Sequence, residues 1–230
     1  NDKVFRVNEG LGYSELNFTL STLSGEVIMD ENLSSQICIV DGIHAYIYNY
    51  TTGDIGIAVF DPANPDFLPN YVTYQNTYFI FGNARTDTNG SQWFIYESGF
   101  NPSTLADPLK LSYVTNLALQ TKPDFAKAAI RIPGYGNNLL VLGSTVGEIW
   151  TNIGGRIVYQ RNSSINIDYG VASINTIAAS DKFVCWLGIN EKSTPAIMVM
   201  SGGQAERIST DGIDNLLQKV RFPEQSTAFF

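Results

Sequence analysis

The stretch from Asn138 to Arg161, NLLVLGSTVGEIWTNIGGRIVYQR, decides the fold. Two short runs of aliphatic, β-branched and aromatic residues, NLLVLG and VGEIWTNI, flank a small turn at Ser144-Thr145. Gly154-Gly155 then turns the chain into a third run, RIVYQR. Runs of this length, broken by glycine and small polar residues, are antiparallel strands joined by tight turns.

The same unit recurs along the chain. IHAYIYN (43–49), TYFIFG (77–82), NLLVLG (138–143) and KFVCWLG (182–188) read as one repeated strand. Each leads into a second strand: DIGIAVFD from Asp54, SQWFIYES from Ser91, VGEIWTNI from Val146 and AIMVMSGG from Ala196. Turn chemistry agrees, with Asn89-Gly90 suited to a type I′ turn, Thr52-Gly53-Asp54 to a short glycine turn, and Gly202-Gly203 matching Gly154-Gly155 before a third strand, QAERIS. Taking Tyr48, Phe81, Leu142 and Leu187 as equivalent gives spacings of 33, 61 and 45 residues, against a propeller-blade period of roughly 40 to 50.

The long gap places an insertion at 99–127, which holds Pro102, Pro108 and Pro123 and is expected to supply an outer strand and a surface excursion. The expected blade-like units are 3–30, 35–61, 71–98, 126–161 and 173–209, the first built from KVFRV, SELNFTLS and GEVIM. In TDGIDNLLQKV, Ile213, Leu216, Leu217 and Val220 fall at i, i+3, i+4 and i+7, which predicts an amphipathic helix over 211–220. The expected fold class is all-β, with β-propeller-like repeats of antiparallel sheets in a single domain over 1–230 or a fragment of one, and one short helix near the C-terminus. A β-sandwich is the alternative. The final run, STAFF, reads as the start of another strand, so the chain reads as a piece of a longer protein.

Composition bounds the function. With 44% hydrophobic and 12% aromatic residues in 230, the chain can bury a substantial core, and only 16% of residues are charged. A net charge of −8 with fourteen scattered bases argues against wrapping nucleic acid. There is no apolar run of about 18 residues, and NDKVFRVNEG has neither region of a signal peptide, so the reading is soluble and not secreted. Cys38 and Cys185 lie inside apolar runs and read as reduced, buried thiols. The Asn-x-Ser/Thr triplets at Asn17, Asn32, Asn49, Asn89 and Asn162 carry no weight without a secretory route.

The residues for catalysis are sparse. His44 is the single histidine, which removes multi-histidine zinc sites and cripples any Ser-His-Asp or Cys-His arrangement; it reads as a packed strand residue. GSTVG at 143–147 puts Ser144 in the wrong place for a nucleophile elbow and reads as a hairpin turn. Asp54, Asp61, Glu97 and Glu148 sit mostly at strand ends and read as solvated edges instead of the facing pair that glycoside hydrolysis needs. TDTNGSQW, 86–93, approaches the Asp box of sialidase propellers, but Asp87 comes one place early and Arg6, Arg85, Arg131, Arg156, Arg161, Arg207 and Arg221 show no cluster pattern. Asp87-Thr88-Asn89-Gly90 is too short for a calcium loop. Gly154-Gly155 and Gly202-Gly203 lack the aromatic partners of kelch repeats and read as turns, and Trp93, Trp150 and Trp186 read as blade core instead of a carbohydrate platform. No catalytic, cofactor-binding or metal-ligating residue is predicted, and no cofactor.

From about Leu109 to Val220 the order of segments resembles the packaged DNA stabilisation proteins, the tail hub or head-completion components of short-tailed double-stranded DNA bacteriophages. The matching pieces are the Pro123-Asp124 step, LLVLGS ending at Ser144, GEIWTNIGG, RIVYQR, INIDYGVAS from Ile165, KFVCWLG, PAIMVMSGGQAERIST and DGIDNLLQKV. The first hundred residues match loosely, through the strand pair near Gln36 to Phe60 and the GSQWFIYES hairpin. The resemblance implies a non-enzymatic virion protein of the tail, assembled in the bacterial host cytoplasm. It implies a protein that plugs the portal channel, stabilises packaged DNA and supports tail attachment. Implied partners are portal and adaptor proteins and a tail needle or tailspike, with a homo-hexamer in the assembled tail. Neither sequence-specific nucleic-acid binding nor a membrane is implied. The alternative is a glycan-binding or glycan-cleaving propeller of a tail or surface protein.

Overall fold

The computed structural model describes residues 2–60, 67–83, 92–97, 112–155 and 157–229. The strands in chain order begin with a hairpin, β1 (Lys3–Val7) and β2 (Tyr13–Thr19). Four antiparallel meanders follow. The first contains β3 (Ile28–Glu31), β4 (Gln36–Val40), β5 (Ala45–Asn49) and β6 (Ile55–Ile57); the second, β7 (Pro69–Gln75), β8 (Tyr78–Asn83), β9 (Gln92–Glu97) and β10 (Ser112–Ala118). The third contains β11 (Ala128–Arg131), β12 (Asn138–Leu142), β13 (Gly147–Asn152) and β14 (Tyr159–Ile167). The last contains β15 (Gly170–Val171), β16 (Ala178–Ala179), β17 (Val184–Ile189), β18 (Pro195–Ser201) and β19 (Gln204–Arg207), followed by α1 (Asp211–Leu217).

Within each meander, neighbouring strands pair in sequence order. The exception is the innermost position of the last sheet, where β15 and β16 both pair with β17. A 3-10 turn at Ile174–Thr176 separates them, and there the Thr176 hydroxyl accepts Leu187 N–H in place of a strand carbonyl.

Strand side chains alternate faces, and in the inner sheets both faces are apolar. Phe79 and Phe81 of β8 join a core with Cys38, Ile47 and Phe94, whereas Ile80 between them joins a core with Trp93, Val141 and Trp150. Likewise Leu139 and Val141 of β12 face the second sheet, and Leu140 and Leu142 join Trp186 and Met198 of the fourth. Three separate apolar seams therefore lie between four consecutive sheets. This is the radial stacking of a β-propeller, and it removes the sandwich alternative, in which two sheets enclose one core.

Several expectations change. Segment 3–30 is not one blade: β1 and β2 form a two-stranded sheet, and β3 is the innermost strand of the following meander. The repeated strand is also misaligned at its first member. β4 is second in its sheet, as β8, β12 and β17 are in theirs, so Val40 and not Tyr48 corresponds to Phe81, Leu142 and Leu187. The insertion contributes β10 as the outermost strand of the second sheet, while the rest of its first half lies outside the described residues. The helix stops at Leu217, and its orientation differs from the pattern. Asp214 is buried against Arg207, while Ile213, Leu216 and Val220 are exposed, because the helix contacts the sheet through that ion pair and β18. Among the described residues, no helix is long and apolar enough to cross a membrane.

Candidate functional site

Several polar groups meet where one blade joins the next. The turn after the second strand of a sheet is the recurring contact. Gly42 N–H donates to Pro69 C=O across the first seam (3.1 Å), Asn83 N–H to Ala126 C=O across the second (3.4 Å), and Val171 N–H to Gly143 C=O across the third (2.8 Å). Close backbone approach explains the glycines there. A Cβ on Gly82 would meet Lys127 C=O at 2.5 Å, and one on Gly170 would run into the backbone of Gly143, Ser144 and Thr145.

Carboxylates, half-buried at Asp124 and buried at Asp41, fasten these turns. Asp124 reaches from the connection before β11, and its Oδ2 accepts Thr145 N–H (2.7 Å), Thr145 Oγ1–H (3.1 Å) and Val146 N–H (3.2 Å). The Pro-Asp step thus caps the very turn that holds Ser144, which leaves that serine in a structural hairpin. In the first sheet Asp41 Oδ1 accepts Ile43 N–H and His44 N–H, while Oδ2 accepts Ser21 N–H and the Tyr46 hydroxyl. Burial pushes the Asp41 carboxyl up, but the donated hydrogen bonds from His44, Ile43, Tyr46 and Ser21 outweigh it and hold the group below its ordinary value.

Glu148 overturns the expectation of a solvated edge. It lies in β13, is fully buried (0% exposed), and accepts Gln120 N–H (2.8 Å) and Thr121 N–H through Oε1 and Trp150 Nε1–H through Oε2 (2.9 Å). Arg161 Nε lies 3.5 Å from Oε1 as the counter-charge. A buried carboxylate is tolerable here because it is both paired and hydrogen-bonded. Asp54 and Glu97 are exposed, as expected of edges, and Asp61 lies outside the described residues, as does most of the Asp-box-like stretch.

At the opposite ends of the inner strands, Gln75 donates to Asn138 C=O (3.1 Å) and accepts the Tyr159 hydroxyl (2.7 Å), whose ionisation burial pushes well above the ordinary range. Asp30 Oδ2 accepts Tyr74 N–H (2.7 Å) across the first seam. These strand ends surround a polar cavity of about 460 Å³ that includes Glu31, Asn76 and Arg131. Lys127 is half-buried at the third seam and donates to Val171 C=O; burial pushes its ammonium down, against the pull of Asp124 and Glu224.

The remaining candidates fall as follows. Trp93, Trp150 and Trp186 are 0–1% exposed. Trp93 packs edge-on against Trp150 and Tyr159, and Trp186 Nε1–H donates to Gly170 C=O, so none presents a stacking face to a sugar. His44 is not a strand residue. It ends the turn before β5 and places Nδ1 2.8 Å from Ser21 Oγ, with Asp41 bonded to its backbone instead of its ring. Arg207 pairs with Asp211 and Asp214, Arg161 with Glu148, and Arg221 lies over Phe222, so these cations are dispersed. Cys38 and Cys185 are both free thiols, the first buried and the second half-buried. Gly154, Gly155, Gly202 and Gly203 have positive φ, as third-to-fourth strand turns require. Among the described residues, no group of three or more His, Cys, Asp or Glu side chains is arranged to hold a metal ion.

Gly143, Gly170 and Asp124 fall in the pieces LLVLGS, INIDYGVAS and Pro123-Asp124 that the sequence reading singles out. The roles of Gln75, Asp30 and Glu148 carried no local signal, since they depend on distant segments. Chemically, the arrangement uses its carboxylates as acceptors for backbone N–H groups that lock neighbouring sheets together.

A family model described as Bacteriophage P22 Gp10, beta-propeller, matches residues 14–229. Comparison with curated proteins gives no match. Among solved structures, a Lactobacillus plantarum protein is 12% identical with a TM-score of 0.55, over 91% of this chain and 64% of that one. The Myceliophteria thermophila Cps50 (Swd1) beta-propeller domain is 11% identical with a TM-score of 0.48, over 75% and 55%. Kluyveromyces lactis Hsv2 is 15% identical with a TM-score of 0.41, over 80% and 46%. This chain therefore spans 64% of the length of the Lactobacillus plantarum protein, and at such identity the likeness is one of fold.

Proposed function

Since the chain belongs to the phage-stabilisation family of β-propellers typified by bacteriophage P22 Gp10, a structural family associated with stabilising packaged DNA, we propose that it plugs the portal channel behind the packaged genome and supports attachment of the tail. The observation that carries the reading is the family match, which runs across all four meanders from residue 14 to 229.

The seams support it physically. Three apolar cores, bridged by backbone hydrogen bonds and, at the first two, by carboxylates, make a stiff arc whose function resides in the surfaces it presents. Portal and adaptor proteins and a tail needle or tailspike are the proposed partners, in a homo-hexameric ring. A net charge of −8 limits adhesion to the DNA passing such a ring.

The test is quantitative mass spectrometry of particles of the phage that encodes the protein, together with DNA retention in particles lacking it. A few copies per particle and escape of DNA on its loss are expected. Particles without the protein that hold their DNA normally would overturn the proposal.

A further inference from the structure

The β1–β2 hairpin differs from the other sheets among the described residues. Its strands contain only exposed and half-buried residues, with Val4, Leu16 and Phe18 the half-buried ones, whereas β5 is buried over four of its five positions. Between the hairpin and the first meander lies an apolar cavity of about 500 Å³, lined among others by Val4, Leu16, Met29, Ile37, Ile39 and Tyr48. An isolated two-stranded sheet is marginal in water, and this one gains little from the surface beneath it.

What holds the hairpin down is a compact knot just past its end. Ser21 N–H donates to Tyr46 Oη (2.8 Å) and Asp41 Oδ2 (3.0 Å), and Ser21 Oγ meets both Tyr46 Oη and His44 Nδ1 at 2.8 Å. Phe18 packs edge-on against Tyr46, ring centroids 4.6 Å apart, and Arg6 Nη1 reaches to 3.5 Å from Tyr48 Oη. The chain from there to β3 passes through Gly25 at φ +111°, a conformation that glycine adopts readily.

We propose that the β1–β2 hairpin is a strap that opens as a unit over this apolar cavity, latched by the Ser21–Tyr46–Asp41 knot. The knot is polar and ties the exposed Ser21 to the buried Tyr46 and Asp41, while the blades are held by apolar seams, so the strap opens without unfolding of the blades. Opening uncovers Ile37, Ile39 and Tyr48.

Native-state hydrogen exchange on the whole chain tests this. In the wild type, amides of β1 and β2 are expected to exchange on the order of 100-fold faster than those of β5 and β8. Tyr46→Phe keeps the ring and removes the hydroxyl, and is expected to speed hairpin exchange roughly tenfold while leaving β8 and β12 unchanged. Ser21→Ala, which removes the hydroxyl alone, is expected to act in the same direction. Equal exchange in hairpin and blades would overturn the strap. Equal acceleration of blades and hairpin in the variants, or no acceleration of the hairpin in either, would overturn the latch.

Discussion

Replacing Glu148 with alanine removes an acceptor from the interior without supplying another. Gln120 N–H, Thr121 N–H and Trp150 Nε1–H lose their partner, and Arg161, whose side chain is 16% exposed, loses its counter-charge. Hydrogen bonds to a charged acceptor contribute about 1.5–3 kcal/mol each, and losses within one network fall short of their sum. Breaking a buried pair from one side costs about 3–5 kcal/mol. We therefore expect Glu148→Ala to destabilise by ~4 kcal/mol, a fall in Tm of about 8–16 °C for a chain of this size. Urea unfolding followed by tryptophan fluorescence is a suitable assay, because Trp93, Trp150 and Trp186 are buried in the seams and report their opening. Glu148→Gln retains one acceptor oxygen and should fall between, at ~2 kcal/mol. Arg161→Met should cost less than Glu148→Ala, since the carboxylate keeps its three donors. A loss under ~1 kcal/mol for Glu148→Ala would refute the idea that this carboxylate closes the connection between the second and third blades.

Gly170→Ala should destabilise by about 2–3 kcal/mol by overpacking the third seam, where backbone of 143–145 cannot yield, while Gly10→Ala on the exposed hairpin should stay within ~0.5 kcal/mol; thermal unfolding of the two side by side checks the contrast. Thr77→Gly should stabilise by ~1 kcal/mol, because a β-branched residue occupies φ +72° in the two-residue turn joining β7 to β8, and no gain in urea midpoint would count against strain there. Asp41 holds its proton less tightly folded than unfolded, so its contribution is present above the unfolded value near ~3.9 and is lost as pH falls through the lower folded value. Asp41→Asn should flatten the stability profile below about pH 4, and an unchanged acid limb would show that other carboxylates govern it.

Strands, turns and the repeat were legible because they are local. The glycine pairs at 154–155 and 202–203 adopt the positive φ their turns require, and alternation within NLLVLG already encodes two apolar faces. What the local pattern lacked was position within a sheet. The innermost strands are short, down to two residues at β15, and carry too little pattern to be read, which is why the first repeat was displaced by one strand.

Burial of polar groups and the facing of the helix depended on the tertiary structure. Glu148 looks like an edge carboxylate until Gln120 and Thr121, from the connection before β11, and Arg161, from β14, converge on it. The helix has an amphipathic pattern, yet Arg207 draws Asp214 inward and leaves Leu216 at 64% exposure. By itself, the sequence determined that the chain forms repeated antiparallel strands with the order of segments of a phage-stabilisation propeller. Only the tertiary structure decided which residues join one blade to the next, because an interaction between distant segments leaves no period in either of them.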